Sequence, residues 1–476
     1  MNIEHKLEFF EGKTAREIAS ELISATLPRL QKEEEAAWTE GYTDLAKIEV
    51  DHYRRRWFSE VPGSMAPDHV VIGAIQAQEN KGYIVTEAQK LIVPTQLAYE
   101  TNDSGSLIAN IALIFKLLAE APKNEADPYW NYTQYDSFDQ ILEKITFPAA
   151  TQLTLSSMEI LEKIHAGWSS QIAGGALGTI IEGYTTDNIR KVFGEVRGYL
   201  RKPSTHNDDN LFELAAIDAI CKKGVAVTAD DIALEWIANI AYAWSAEEVA
   251  LANLKRGIFP PQSAKLNNPW NEWIGAQMRG AIFGLVAPGD PKLAAKLAWL
   301  DGSISHINNG IMGEVFNAVL TSISWIDSDV RSIVKKTIDL IPNDCEYYSV
   351  VKFAHEQCLK YDNWEAAWRV CEDKYRRYNW IHTYPNAAAQ IIALYYAEAD
   401  FDECMHIIAM CGQDVDCNAG MIGTVYGVIH GFAGIAKHWL EPFNDEFESL
   451  YRGYEKTTLK NISEVTYQAL VALKGE

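Results

Sequence analysis

Three things are scarce in this chain of 476 residues: paired cysteines, basic clusters and long uncharged apolar stretches. Its seven cysteines, at 221, 345, 358, 371, 404, 411 and 417, are odd in number and contain no Cys-x-x-Cys pair. That spacing argues against a disulfide framework and against a thiolate zinc cluster. The start, Met1-Asn-Ile-Glu-His-Lys-Leu-Glu, lacks the apolar core of a secretory signal, so a reducing cytoplasm is expected. Lys and Arg number 42 against 65 Asp and Glu, a net charge of −23. Such a chain repels phosphate backbones and anionic lipid, so neither nucleic-acid backbone binding nor membrane binding is expected. The densest basic run, Arg54-Arg55-Arg56 beside Trp57, reads as a solvated helix face or ion-pair partner.

One stretch does resemble a membrane helix. Residues 417–436 carry no Asp, Glu, Lys or Arg, and Gly423, Gly427 and Gly431 recur at four-residue spacing. Asn418, Thr424, Tyr426, His430 and five glycines keep its mean hydropathy low for a span. Glycines at that spacing line one helix face and let another backbone approach, which suits a buried central helix.

What the chain has in quantity is helical pattern. Hydrophobic residues make up 48% and charged residues 22%, a globular balance. The length suggests two to four domains, or one large domain with an extension. Apolar residues recur at helical intervals from Thr14 to Thr43, in Ile18, Leu22, Ala25, Leu27 and Leu30 followed by the acidic run Glu33-Glu34-Glu35, and over 84–99, 105–120, 137–146 and 153–168. Further helices are expected at Leu211–Lys223, Thr228–Trp244, Asn271–Leu285, Leu293–Leu300, Ile311–Trp325, Val351–Lys360, Asn386–Ala399 and Phe401–Cys411. Alternating strand-like runs are rare. The fold class predicted is all-α.

Two acidic pairs stand at helix entries: Asn207-Asp208-Asp209-Asn210 and Asp414-Val415-Asp416-Cys417-Asn418. Neighbouring carboxylates repel one another, and four in one cleft make sense if a hard divalent cation neutralises them. The other reading is that each Asp is an N-cap or favours the positive end of a helix dipole. A third feature, Asp301-Gly-Ser-Ile-Ser-His306-Ile-Asn308-Asn309-Gly310-Ile-Met-Gly313-Glu314, is a Gly- and Asn-rich helix entry whose amides suit a pyrophosphate. His306 and His382 also read as satisfied core histidines.

Six motifs in order carry a family resemblance. Gly174-Gly-Ala-Leu-Gly178 followed by Glu182, the Asn207-Asp208-Asp209 turn, Trp273-Ile-Gly-Ala-Gln-Met-Arg279, Ser303-Ile-Ser-His306-Ile-Asn-Asn-Gly310, Trp380-Ile-His382-Thr-Tyr384-Pro-Asn386 and Asp414-Val-Asp416-Cys-Asn418 together resemble the ADP-ribosylglycohydrolases, the ADP-ribosyl hydrolases related to dinitrogenase-reductase-activating glycohydrolase. The resemblance covers about 165–476. It implies an orthogonal all-α domain there, with residues 1–160 as a helical extension of unassigned role. It also implies two Mg²⁺ or Mn²⁺ ions, with Asn207, Asp208, Asp209, Asp414, Asp416 and Cys417 at the metal positions. Glu182 and Asp416 become the catalytic carboxylates, in that order. The turn bearing His306, Asn308, Asn309, Gly310 and Gly313 would hold the diphosphate, and His382 with Tyr384 would line the sugar or adenine pocket.

The implied activity is metal-assisted hydrolysis of the bond between ADP-ribose and a protein side chain or small acceptor. The alternative is a non-catalytic ADP-ribose binding module of the same fold. Three departures from the family pattern bear on that choice. Asn207 replaces a common Thr, Cys417 stands where Thr or Ser is often a ligand, and Gly175 stands where many members have Asp. A soft thiol is a poor Mg²⁺ partner.

Overall fold

The computed structural model describes residues 10–28, 30, 32 and 38–475, so the charged start and the run Glu33-Glu34-Glu35 lie outside the described residues. The chain divides into two units, Met1–Tyr53 and Arg54–Glu476. In the first, Ala15–Ala25 is a helix begun by a capping box, with Thr14 and Glu17 each accepting from the other's backbone amide.

Among the described residues the strands are short antiparallel pairs: Ser59–Glu60 with Pro67–Asp68, Tyr184–Thr185 with Gly412–Gln413, and Glu446–Glu448 with Lys456–Thr458. The remaining regular structure is helical, and the protein is all-α. No helix is long and apolar enough to cross a membrane among the described residues.

The centre of the larger unit is a pair of helices, Ser157–Gly178 and Val415–His430. The first starts on a capping box of Ser156 and Glu159 and runs straight through the glycine-rich 172–178 stretch. A Cβ on Gly178 would lie 2.1 Å from the Asp416 nitrogen, and one on Gly174 2.2 Å from the Ala419 oxygen. A Cβ on Gly423 would lie 2.6 Å from the Ser170 oxygen, and one on Gly427 2.4 Å from the Ala166 oxygen. The partners rise along one helix as they fall along the other, so the two run antiparallel, backbone against backbone. Only glycine permits that approach. Gly431, the third glycine of the repeat, stands beyond the helix end as its C-cap.

Helices Asp209–Lys223, Asn308–Ser324, Thr383–Ala397 and Leu459–Leu473 pack around this pair. Every residue of Asn308–Ser324 is buried. Besides the Thr14–Thr43 stretch, whose first helix ends at Ala25, three expected helices are broken. The 84–99 pattern splits into Thr86–Gln89 and Ile92–Glu100, which leaves Pro94 in a first turn, where its missing N–H costs nothing. Thr228–Trp244 ends at Asn239, and a new helix begins at Ser245. Residues 271–276 are not helical, because the Ile274 amide donates to the Ile381 carbonyl (2.8 Å) and Trp273 pairs with His382. That long-range bond competes directly with the local helix.

Within 54–155 the aromatic residues pack inward. Trp57 is wholly buried and donates to Gln96 Oε1 (2.8 Å), and the half-buried Trp130 donates to the Gly82 carbonyl (3.2 Å). In the basic run, Arg54 stacks on Tyr99 (4.2 Å) and Arg56 on Phe115 (5.1 Å) and Trp270 (5.5 Å), while Arg55 is exposed. Buried Lys81 ties this segment to the body through the Pro269 carbonyl (2.9 Å) and Asn271 Oδ1 (2.8 Å).

Candidate active site

The antiparallel glycine seam decides what meets what. It sets the C-terminal end of Ser157–Gly178 against the first turn of Val415–His430. The chain then leaves Gly178 through a short loop carrying Glu182 and pairs Tyr184–Thr185 with Gly412–Gln413, the two residues before Asp414. Glu182, Asp414 and Asp416 are thereby gathered, although more than 200 residues separate them in sequence. The start of Asp209–Lys223 closes the other side.

Two groups of ligand-capable atoms result, Glu182 with Asp414 and Asp416, and Asp209 with Asp416 and Cys417, the atoms of each group lying within 4.8 Å of one another. All five residues are buried, while Asp208 is exposed. Asp208 and Asp414 both occupy N-cap positions, yet neither side chain accepts a helix amide. Asp414 Oδ1 and Asp416 Oδ1 are buried and have no hydrogen-bond partner. Such orphaned acceptors are costly unless something polar meets them.

The electrostatics agree with this crowding. Burial, then the neighbouring Asp416 and Asp414 charges, holds the Glu182 carboxyl well above its ordinary range. The same two causes raise Asp209 and Asp414. Asp208 reaches solvent, but desolvation by the surrounding protein and the charge of Asp416 push it up to about 6. Among the described residues, desolvation and neighbouring carboxylates rather than cationic side chains are the chief influences on these four carboxyls. Carboxylates lacking a cationic partner are the donor set a hard divalent cation takes.

Asn207 and Cys417 sit among these acids but offer hydrogen rather than lone pairs. The Asn207 carbonyl oxygen accepts from the Asp209 amide (2.9 Å), which leaves its Nδ2 facing Asp209 (3.4 Å) and Asp416 (3.5 Å). The Cys417 thiol, raised well above its ordinary range by burial and by Asp209, points at Asp209 Oδ1 (3.4 Å). Two departures from the family pattern are also neighbours: a Cβ on Gly175 would lie 3.0 Å from Asn207 Nδ2. The amide at 207 occupies space that a longer side chain at 175 would contest.

The remaining expected site residues are internal. His306 is buried, bonded through Nδ1 to Ser305 Oγ (2.7 Å), and burial and Arg279 lower its pKa. At the helix entry, Asn308 Nδ2 (3.1 Å), Asn309 N (3.3 Å) and Asn309 Nδ2 (3.1 Å) all donate to Glu272 Oε1. At this helix start the chain's own Glu272 carboxyl takes the donors expected for a diphosphate. Gly310 and Gly313 are closed off behind it, since a Cβ on either would lie 2.7 Å from the Asn271 oxygen or Gln277 Oε1. His382 is buried between Tyr378 and Tyr384, with ring centroids 4.6 Å away on each side, and burial lowers its pKa to about 3. The Tyr384 hydroxyl donates to Glu346 Oε2 (2.9 Å).

A family model described as ADP-ribosylglycohydrolase matches residues 156–469. The chain belongs to the ADP-ribosylglycohydrolase family. Membership supports a glycohydrolase activity. An uncharacterized protein of Archaeoglobus fulgidus is 25% identical over 285 residues, covering 57% of this chain and 88% of its own length. A solved structure described as an ADP-ribosylglycohydrolase-related protein complex aligns over 66% of this chain and 99% of its own, at 19% identity and a TM-score of 0.46.

Within this ADP-ribosylglycohydrolase chain, one residue of a quoted motif takes a role that sequence reasoning did not assign. Asn386 is fully buried, and its Oδ1 accepts from the Asp414 amide (3.1 Å) and from Asn418 Nδ2 (2.7 Å). Its Nδ2 donates to the Trp380 (2.7 Å) and His382 (2.8 Å) carbonyls. It fastens the Asp414 backbone to the 380–382 turn. An Asn in a helix's first turn is an ordinary local pattern, so no signal in the sequence marks it. A second network also went unassigned: Arg279, wholly buried, bonds Glu247 (2.8 Å), Ser305 (2.9 Å) and Asp301 (2.5 Å). Burial, only partly offset by the Arg279 charge, raises Glu247 to about 7, and burial with the Asp301 charge raises Glu314 well above its ordinary range.

Proposed function

We propose that this ADP-ribosylglycohydrolase hydrolyses, with bound divalent cation, the glycosidic bond between ADP-ribose and a protein side chain or small acceptor. The observation that carries the reading is that the aspartates at two helix starts leave the capping role unfilled, and that at one of them Asp414 Oδ1 and Asp416 Oδ1 are buried without a hydrogen-bond partner. Asp208, Asp209, Asp414 and Asp416 would hold Mg²⁺ or Mn²⁺, as a pair of ions. Asn207 and Cys417 stand beside them as donors to the carboxylates. When bound, the cations would fix the ribose hydroxyls, lower the pKa of coordinated water and stabilise developing charge.

The residues of the chain do the rest. In this reading Glu182 exchanges protons: as a neutral acid it gives its proton to the leaving atom when the bond to the anomeric carbon breaks. As the resulting carboxylate it takes a proton from the water whose oxygen joins that carbon, which restores the acid. Asp416, shared between the two groups of ligand atoms, is the second candidate for that role. Asn386 holds the Asp414 backbone still, and the seam holds the loop of Glu182 against both.

The test is release of free ADP-ribose from ADP-ribosyl-arginine and ADP-ribosyl-serine peptides, with and without Mg²⁺, beside the Asp414→Asn variant. Magnesium-dependent release, lost in a folded variant, supports the reading and names the linkage. Equal release by the variant overturns it. Magnesium-dependent binding of ADP-ribose without release from any conjugate would make the chain a binding module.

A further inference from the structure

The loop that carries Glu182 is gripped from two sides, and one grip comes from chain outside the family match. On one side it is bonded to the strand leading into Asp414: the Gly183 amide donates to the Gln413 carbonyl (2.8 Å), and Tyr184–Thr185 pairs with Gly412–Gln413. On the other side stands the hairpin of Ser59–Glu60 and Pro67–Asp68, closed by the Val61 amide on the Ala66 carbonyl (2.9 Å).

Three contacts join that hairpin to the loop. The Tyr184 hydroxyl donates to the Ser64 carbonyl (3.0 Å). A Cβ on Gly63 would lie 2.3 Å from the Thr179 carbonyl oxygen, and one on Gly183 2.5 Å from the Ala66 Cβ. Both glycines also have positive φ, at +109° and +81°, so neither the space nor the backbone admits another residue without strain. Ala66 is wholly buried and Ser64 nearly so, and the base of the hairpin is held by Trp244 Nε1 on Asp68 Oδ2 (2.9 Å). A freely moving loop would need none of this fitted contact.

We propose that the 59–68 hairpin is a clamp that fixes the Glu182 loop in its working position, with Tyr184 as the positioning residue that transmits it. The proposal rests on the role given to Glu182 above. The clamp keeps the loop shut against Gly412–Gln413, so Glu182 stays registered with Asp414 and Asp416 throughout turnover instead of swinging in and out. Since residues 59–68 precede the family match at 156, the device is an addition made by this chain's own N-terminal segment. A residue acting in this way alters the rate of the chemical step and leaves ligand affinity alone.

Tyr184→Phe removes one hydroxyl and keeps the ring. Measured on the full chain, it should lower kcat about threefold to tenfold, as expected for one lost hydrogen bond expressed in the transition state, with KM and the Mg²⁺ midpoint unchanged. Hydrogen exchange should quicken in 179–185 and stay the same in the Val415–His430 helix. Ala66→Val presses on Gly183 from the hairpin side and should give the same pattern, which covers the case in which Tyr184→Phe does not fold. Wild-type exchange in 179–185 for the folded variants overturns the clamp, as does a raised KM at unchanged kcat. If the wild-type chain releases no ADP-ribose, the functional reading fails, and the exchange measurement still decides on the clamp.

Discussion

Asp103 and Asp414 occupy the same position, the residue before a helix's first turn, and behave in opposite ways. Asp103 accepts from the Ser106 amide (3.0 Å), and the Ser106 hydroxyl, followed by that amide, lowers its pKa. Asp290, Asp329 and Asp400 likewise accept from amides of the helices they begin. Asp414 and Asp208 accept none, and their carboxyls are raised. Position along a helix therefore does not determine what an aspartate does. Its partners do, and at 208 and 414 the nearest strong influences are other carboxylates. The first group stabilises its own helix; the second is held in a costly arrangement by the rest of the fold, the kind of arrangement that clusters at functional sites.

The sharpest way to break this comparison is to neutralise one member of each group. Asp414→Asn should cost at least about 100-fold in turnover, as the loss of a metal-orienting group does, while thermal unfolding moves little or upward because repulsion is relieved. Asp290→Ala is the reciprocal case, described below. If both changes act on stability and neither on turnover, the two groups are one.

The next largest effect concerns the seam that gathers the acids. Gly178→Ala would put a methyl 2.1 Å from the Asp416 backbone nitrogen, and should destabilise the fold by about 1–3 kcal/mol and lower cation affinity with it. Gly420→Ala is the control, since its Cβ would find nothing nearer than 3.5 Å, and helix propensity should make it neutral to about 1 kcal/mol stabilising. Urea unfolding of the pair measures the contrast. Equal behaviour would mean the seam is less tight than described. Asp290→Ala should then cost about 1 kcal/mol as a lost cap, with turnover unchanged.

The smallest effect is a difference in the sign of pH dependence. Asp208 is raised from 3.8 to about 6, so its contribution is present below the lower value and is lost as pH climbs through about 6. Asp103 is lowered, so its contribution is present above 3.8 and is lost as pH falls through its folded value. For the metal-free protein, Asp208→Asn should flatten the fall in unfolding free energy between pH 4 and about 6, and Mg²⁺ should oppose that fall in the unmodified chain because the cation displaces the protons. An unchanged slope in the variant would remove Asp208 from the coupled group.

Much of the helix plan was legible because it is local. The helix ended by Gly224, the Phe401–Cys411 helix and the acidic pairs at helix entries all follow from residues within a few turns of one another. The failures came where a distant partner outbid the local pattern. Residues 271–276 gave up a helix for a bond to Ile381, and the donors at the Asn308 helix start meet Glu272, a partner 36 residues away. The glycine-rich 172–178 stretch did not interrupt its helix; it is the part of that helix which another helix touches.

The sequence by itself determined the all-α class, because apolar spacing, caps and stops are written within each helix. It also determined that aspartates would stand in pairs at two helix entries, since their order along the chain is all that statement requires. Whether those aspartates cap their helices was decided only by the tertiary structure. A cap needs one amide nearby, whereas the proposed site needs Glu182, Asp209, Asp414 and Asp416 in one place. That gathering depends on two glycine-lined backbones meeting in antiparallel register, a contact between residues up to about 260 positions apart that no local pattern can express.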